Sequence, residues 1–85
     1  MERQAEIRKG TDLGHVLAEA RRAQGLTQAE VANQVGLTRV YVNALESGRS
    51  TPLLDHYIRA LRRIGAKVTV TYTDPDDKDT GDGQT

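Results

Sequence analysis

Cysteine is absent from this 85-residue sequence. That excludes a disulfide framework and every thiolate-based zinc or redox site. With no such staple, a cytoplasmic location is the simpler expectation. No apolar run approaches the ~18 residues of a membrane span. Residues 1–10 are polar and lack the apolar core of a secretion signal. There is no internal repeat and no glycine-rich phosphate loop following a strand. His15 and His56 lie on separate segments without an acidic cluster, and Ser47 and Ser50 have no base at a workable spacing. No catalytic residue, metal ligand or cofactor is therefore expected, and the sequence reads as a binding protein rather than an enzyme.

Charge is present but segregated. The 12 basic and 12 acidic residues cancel, yet Asp74, Asp76, Asp77, Asp79 and Asp82 face only Lys78 in the last stretch. Residues 1–73 therefore hold 11 bases against 7 acids. A basic body suits a polyanionic partner, and an acidic end reads as a solvated tail.

Helical signals fill most of the body. The first helix is expected from Thr11 as N-cap, with Leu13, Val16, Leu17 and Ala20 inward and Gly25 at its end. Thr27-Gln-Ala-Glu30 is a capping box that opens a second helix, with Val31, Ala32 and Val35 as its buried stripe and Gly36 as its stop. Thr38 caps a third helix whose inward residues are Val42 and Leu45. Two short helices separated only by Gly36-Leu37-Thr38 form a helix-turn-helix pattern. Thr51-Pro52 opens a fourth helix. Its apolar stripe of Leu53, Leu54, Tyr57, Ile58, Leu61 and Ile64 is wider than one neighbour requires.

Advancing ~100° per residue from Arg39 places Val42 and Leu45 inward. The opposite face carries Val40, Asn43, Ala44 and Ser47, flanked by Arg39 and Tyr41. A plainly solvated face would be richer in Glu and Lys. An Arg can donate twice to guanine, an Asn can bond adenine, and Val or Ala can touch a thymine methyl. Arg39, Val40, Asn43 and Ala44 are thus the expected base-contacting residues. Gln28, Thr38, Tyr41, Arg49 and Ser50 form a rim suited to phosphate. Glu46 points toward the core edge and is expected to pair with Arg21, a half-buried ion pair that fixes geometry more than it adds stability.

Gly25-Leu-Thr-Gln-Ala-Glu-Val-Ala, Val35-Gly-Leu-Thr and Leu45-Glu-Ser-Gly-Arg49 together resemble the Cro/CI-type (XRE) family of helix-turn-helix repressors over roughly residues 12–64. The resemblance implies a mainly α, four- to five-helix lambda-repressor-like domain. It also implies phosphate contact by Gln28, base contact by Arg39, Val40, Asn43 and Ala44, and an Arg21–Glu46 pair. Asp12-Leu-Gly14 and the step Leu61-Arg-Arg-Ile-Gly-Ala-Lys-Val-Thr-Val70 further resemble HipB-like antitoxins. In that group a homodimer represses its own operon from a palindromic operator in double-stranded DNA and neutralises a HipA-like kinase toxin.

Lys67 to Thr73 alternates cleanly, with Val68, Val70 and Tyr72 on one face. A lone strand needs a ladder partner, either a second chain or the N-terminal segment Ala5–Lys9. Pairing across a two-fold is the economical solution and supplies the symmetry that palindromic operators require. The expected organisation is a flexible segment over 1–10, a helix-turn-helix domain over 11–65, a dimerising strand over 66–73 and an acidic disordered tail over 74–85.

Overall fold

A computed structural model describes residues 1–75. The chain order is β1 (Glu2–Ile7), α1 (Gly10–Ala23), α2 (Gln28–Val35), α3 (Arg39–Glu46), α4 (Pro52–Arg63) and β2 (Val68–Thr73). The fold is mainly helical. α1 packs on α3, on α4 and on both strands, while α2 packs on α3.

Local chemistry explains most boundaries. Thr27 Oγ1 accepts from the Glu30 N–H at 3.1 Å, and Glu30 Oε1 accepts from the Thr27 N–H at 2.8 Å. Both arms of the capping box are thus made. Thr38 and Thr51 cap α3 and α4 through their hydroxyl oxygens. Gly36 stops α2 at φ 75°, a left-handed value that costs glycine nothing and lets the chain reverse within three residues. α1 begins one residue before Thr11, the expected cap. The Gly10 N–H donates to Asp55 Oδ1 at 2.8 Å, and Asp12 Oδ2 accepts from the N–H groups of Arg8 and Lys9 at 2.8 and 3.2 Å.

Two expectations for the ends of the chain are corrected. Residues 2–7 are not a flexible segment but a strand, and β2 takes its ladder not from a second copy but from β1 of its own chain, the N-terminal partner named above as the alternative. The two run antiparallel, with Glu2 opposite Thr73 and Ile7 opposite Val68. The physical reason is that a partner within the same chain pairs without the entropy cost of association. Ile7 supplies the anchor. It is fully buried and joins Val16 and Ile58 in the core, with Ala5, Leu13, Leu54, Val68, Val70 and Tyr72 packed around them. Val68, Val70 and Tyr72 face inward as the alternation requires, and the Tyr72 hydroxyl donates to Glu19 on α1 at 3.3 Å. Asp74, assigned above to the tail, is tied down. Its N–H donates to the Met1 carbonyl at 2.8 Å and its Oδ2 accepts from Arg3 Nε at 3.0 Å. The expectation for residues 76–85 lies outside the described residues.

The apolar stripes divide unequally. Ala32 is buried on α2, but Val35, the last residue of that helix, is 58% exposed because no element among the described residues covers it. On α4 only Ile58 is buried. Leu53, Tyr57, Leu61 and Ile64 line an uncovered side. Among the described residues no helix is long and apolar enough to cross a membrane.

Candidate nucleic-acid interface

α3 lies on the surface with one face anchored. Val42 is 1% exposed and Leu45 is half-buried beneath it. The opposite face is open. Val40 is 73% exposed, Asn43 and Ser47 are exposed, and Ala44 is half-buried. These four line one shallow open groove with Gly48 and Arg49. The structure thus brings together three of the four expected base readers, Val40, Asn43 and Ala44, with Arg49 at their edge. Arg39 is exposed at the start of α3 but lies in a separate groove against Ala29, Asn33 and Leu37.

The face is held from behind by a polar network. Arg21 on α1 donates from Nε to Glu46 Oε2 at 2.7 Å and from Nη2 to Oε1 at 3.0 Å. Its third nitrogen, Nη1, donates to the Leu26 carbonyl at 2.8 Å. The side chains of Arg21 and Glu46 are only 12% and 6% exposed. One guanidinium therefore ties α1, α3 and the turn before α2 through a forked, charge-assisted contact. Gln28 completes the network, donating from Nε2 to Glu46 Oε1 at 3.0 Å and to Asn43 Oδ1 at 3.1 Å. This use of Gln28 is not visible in the sequence, because it depends on how α2 docks on α3.

The rim residues are placed unevenly. Tyr41 is half-exposed, and Thr38 Oγ1 is engaged as acceptor in the α3 cap. Arg49 is exposed and follows Gly48, whose φ of 96° turns the chain out of α3. Ser50 points inward, its hydroxyl donating to Asp55 Oδ1 at 3.3 Å. Asp55 was given no role by the sequence, yet it clamps the start of α1 and the loop before α4 through Gly10 and Ser50.

Two carboxyls in this framework are held below their ordinary range. The Arg21 guanidinium lowers Glu46 most, against the opposing effect of burial and with help from Gln28. The Arg8 backbone N–H lowers Asp12. A folded-state pKa below the unfolded one contributes stability that is fully present above the ordinary carboxyl pKa and is lost as pH falls through the lowered value. The melting temperature is therefore expected to stay flat from pH 7 to about 5 and to fall below about pH 4. Glu46→Gln should flatten that acid limb in thermal melts followed by circular dichroism. An unchanged limb would show that Glu46 carries none of it.

Comparison with known proteins gives the same surface a context. The family model described as "Helix-turn-helix" matches residues 17–70. A protein named "Uncharacterized HTH-type transcriptional regulator", from Methanothermobacter thermautotrophicus, is 44% identical over 50 residues, which cover 59% of this chain and 72% of that one. No solved structure matches the chain.

Proposed function

The chain belongs to the helix-turn-helix family, and from that membership we propose that it is a sequence-specific transcriptional regulator reading the DNA major groove with α3. The observation that carries this is the open face of Val40, Asn43, Ala44 and Ser47, small and uncharged at its centre, on a helix pinned by Glu46 and Arg21. Small residues let the helix approach the base edges, and Arg39 can add a forked contact to guanine at the helix start. Arg49 supplies phosphate contact at the rim. The protein acts as a cytoplasmic repressor, occupying a palindromic operator as a homodimer.

The surface offered to the second copy is the uncovered side of α4. Leu53, Tyr57 and Leu61 recur over about 12 Å of α4, and Ile64 at its C-cap continues the same side. An antiparallel pair of α4 helices sets Leu53 of each copy against Ile64 of the other, a self-complementary arrangement of the kind a two-fold requires. A second reading, which rests on the sequence resemblance of the step from α4 to β2 alone because β2 pairs with β1 of its own chain, adds neutralisation of a HipA-like kinase toxin. A kinase-like protein copurifying in stoichiometric amount supports it, and purification of the chain alone favours the stand-alone regulator.

Selection from randomised duplexes, followed by salt titration, tests the main reading. Binding should weaken steeply with salt, and sedimentation should show two chains per duplex. Arg39→Ala and Asn43→Ala should each relax preference at one base position by roughly 5- to 150-fold while the melting temperature holds. Selection that returns no preferred sequence would overturn base reading by α3.

A further inference from the structure

The orientation of an amide decides what it can read. An Asn offers two N–H donors at one end and a carbonyl acceptor at the other. Turned one way it suits guanine, whose major-groove edge presents the acceptors N7 and O6. Turned the other way it suits cytosine, whose N4 is a donor. We propose that Gln28 is a positioning residue that locks the Asn43 amide with its donors outward, so that α3 selects guanine over cytosine at the position Asn43 faces. The inference rests on the operator-reading function proposed above.

The orientation is transmitted from a buried charge. Glu46 is held ionised by the forked Arg21 contact, and an ionised carboxylate only accepts. The end of Gln28 that meets it must therefore be the NH2 end, as the 3.0 Å contact to Glu46 Oε1 shows. That NH2 carries a second hydrogen, which reaches Asn43 at 3.1 Å and requires an acceptor there, so Asn43 turns its Oδ1 inward. Among the described residues no hydrogen bond engages the Asn43 Nδ2, and the residue is exposed on the groove face beside Val40 and Ala44. Both Gln28 amide hydrogens are spent inside the protein. Its side chain has no donor left for a phosphate, in contrast to the role the family resemblance implies. Its place at the start of α2 still leaves its backbone N–H at a helix end that favours anions.

Binding measured on duplexes that differ only at the Asn43 position, with guanine or cytosine, tests this in a double-mutant cycle. The wild type should prefer guanine, and Asn43→Ala should abolish the preference. Gln28→Met keeps the length and helix propensity of the side chain but removes the amide, and should narrow the preference by roughly 5- to 20-fold, within the range of one lost base contact. In the Asn43→Ala background the same change should leave the preference unmoved. Gln28→Ala, run in parallel with melting curves, shows that the effect follows the amide and not the thioether. A Gln28→Met variant that weakens both duplexes equally in both backgrounds, with a salt slope lowered by about one, would identify a phosphate contact instead and overturn the proposal. A variant indistinguishable from wild type would also overturn it. A wild type without any sequence preference would remove the operator reading itself, and the positioning role with it.

Discussion

Arg21→Ala should cost this protein about 3–5 kcal/mol, the range for removing one partner of a buried ion pair. A domain of this size has only about 4–13 kcal/mol of stability in total, at about 0.05–0.15 kcal/mol per residue, so that loss removes a large share of it. The melting temperature should drop by on the order of 15–30 °C in calorimetry or circular dichroism. The reason lies less in the attraction that disappears than in what is left behind. Glu46 is 6% exposed. Without Arg21 its carboxylate retains only the Gln28 amide, and the Leu26 carbonyl also loses its donor. An uncompensated buried anion must either admit water or take up a proton, and both loosen the contact between α1 and α3.

The double variant separates that explanation from simple loss of packing. Arg21→Met combined with Glu46→Leu removes both charges and fills much the same volume, and should recover most of the lost stability. If the single Arg21→Ala change melts within a few degrees of wild type, the pair is a surface ornament and the reasoning fails. If the double variant is as unstable as the single one, the hydrogen bond to Leu26 and the arginine stem carry the effect, not the charge. The recovered protein should still discriminate poorly between guanine and cytosine at the Asn43 position, because Gln28 then has no carboxylate to orient it.

Much of this framework is readable in the sequence because it is local. The Thr27–Glu30 box, the caps at Thr38 and Thr51 and the reversal at Gly36 each depend on residues within four positions of one another. The Arg21–Glu46 pair is not local, but the wheel angle of Glu46 aimed it at the core edge, where an acid requires a cation. β1 was only half legible, named as an alternative ladder partner but not marked as a strand by its own residues, for the opposite reason. Glu2–Ile7 carries only Ala5 and Ile7 as apolar residues, and its extended form is imposed by the ladder with β2, 66 positions or so along the chain. Val35 follows the periodicity of α2 yet ends exposed, since periodicity gives a direction and not a neighbour. The inward turn of Gln28 and the clamp made by Asp55 depend on how helices dock, which no spacing encodes.

Gly14 shows the same limit with a larger consequence. A glycine inside a helical pattern ordinarily weakens it, and Gly→Ala at such a site gains up to ~1 kcal/mol in an exposed helix. Here the sign should reverse. A Cβ at position 14 would fall on the Leu45 carbonyl oxygen and lie 3.2 Å from the Gly48 nitrogen. Both obstacles are backbone, so neither can swing aside. α1 and α3 must move apart, opening the seam that Arg21 and Glu46 close. Overpacking of this kind costs about 1–3 kcal/mol and more where backbone must shift, which outweighs the propensity gain. Gly14→Ala is therefore expected to lower stability by about 2–3 kcal/mol, or on the order of 10–20 °C in melting temperature. His15→Ala, at the exposed neighbour on the same helix, should change it by less than about 0.5 kcal/mol. A Gly14→Ala protein that melts at or above wild type would show that the two helices separate freely. The effect on reading should exceed the effect on folding. α3 carries Val40, Asn43 and Ala44 on its far side, so a displacement at Leu45 shifts all three relative to Gln28 on α2. Even at temperatures where the variant is fully folded, its operator preference should fall while its salt-dependent binding to arbitrary DNA persists, because phosphate contacts tolerate a shift that base-edge geometry does not.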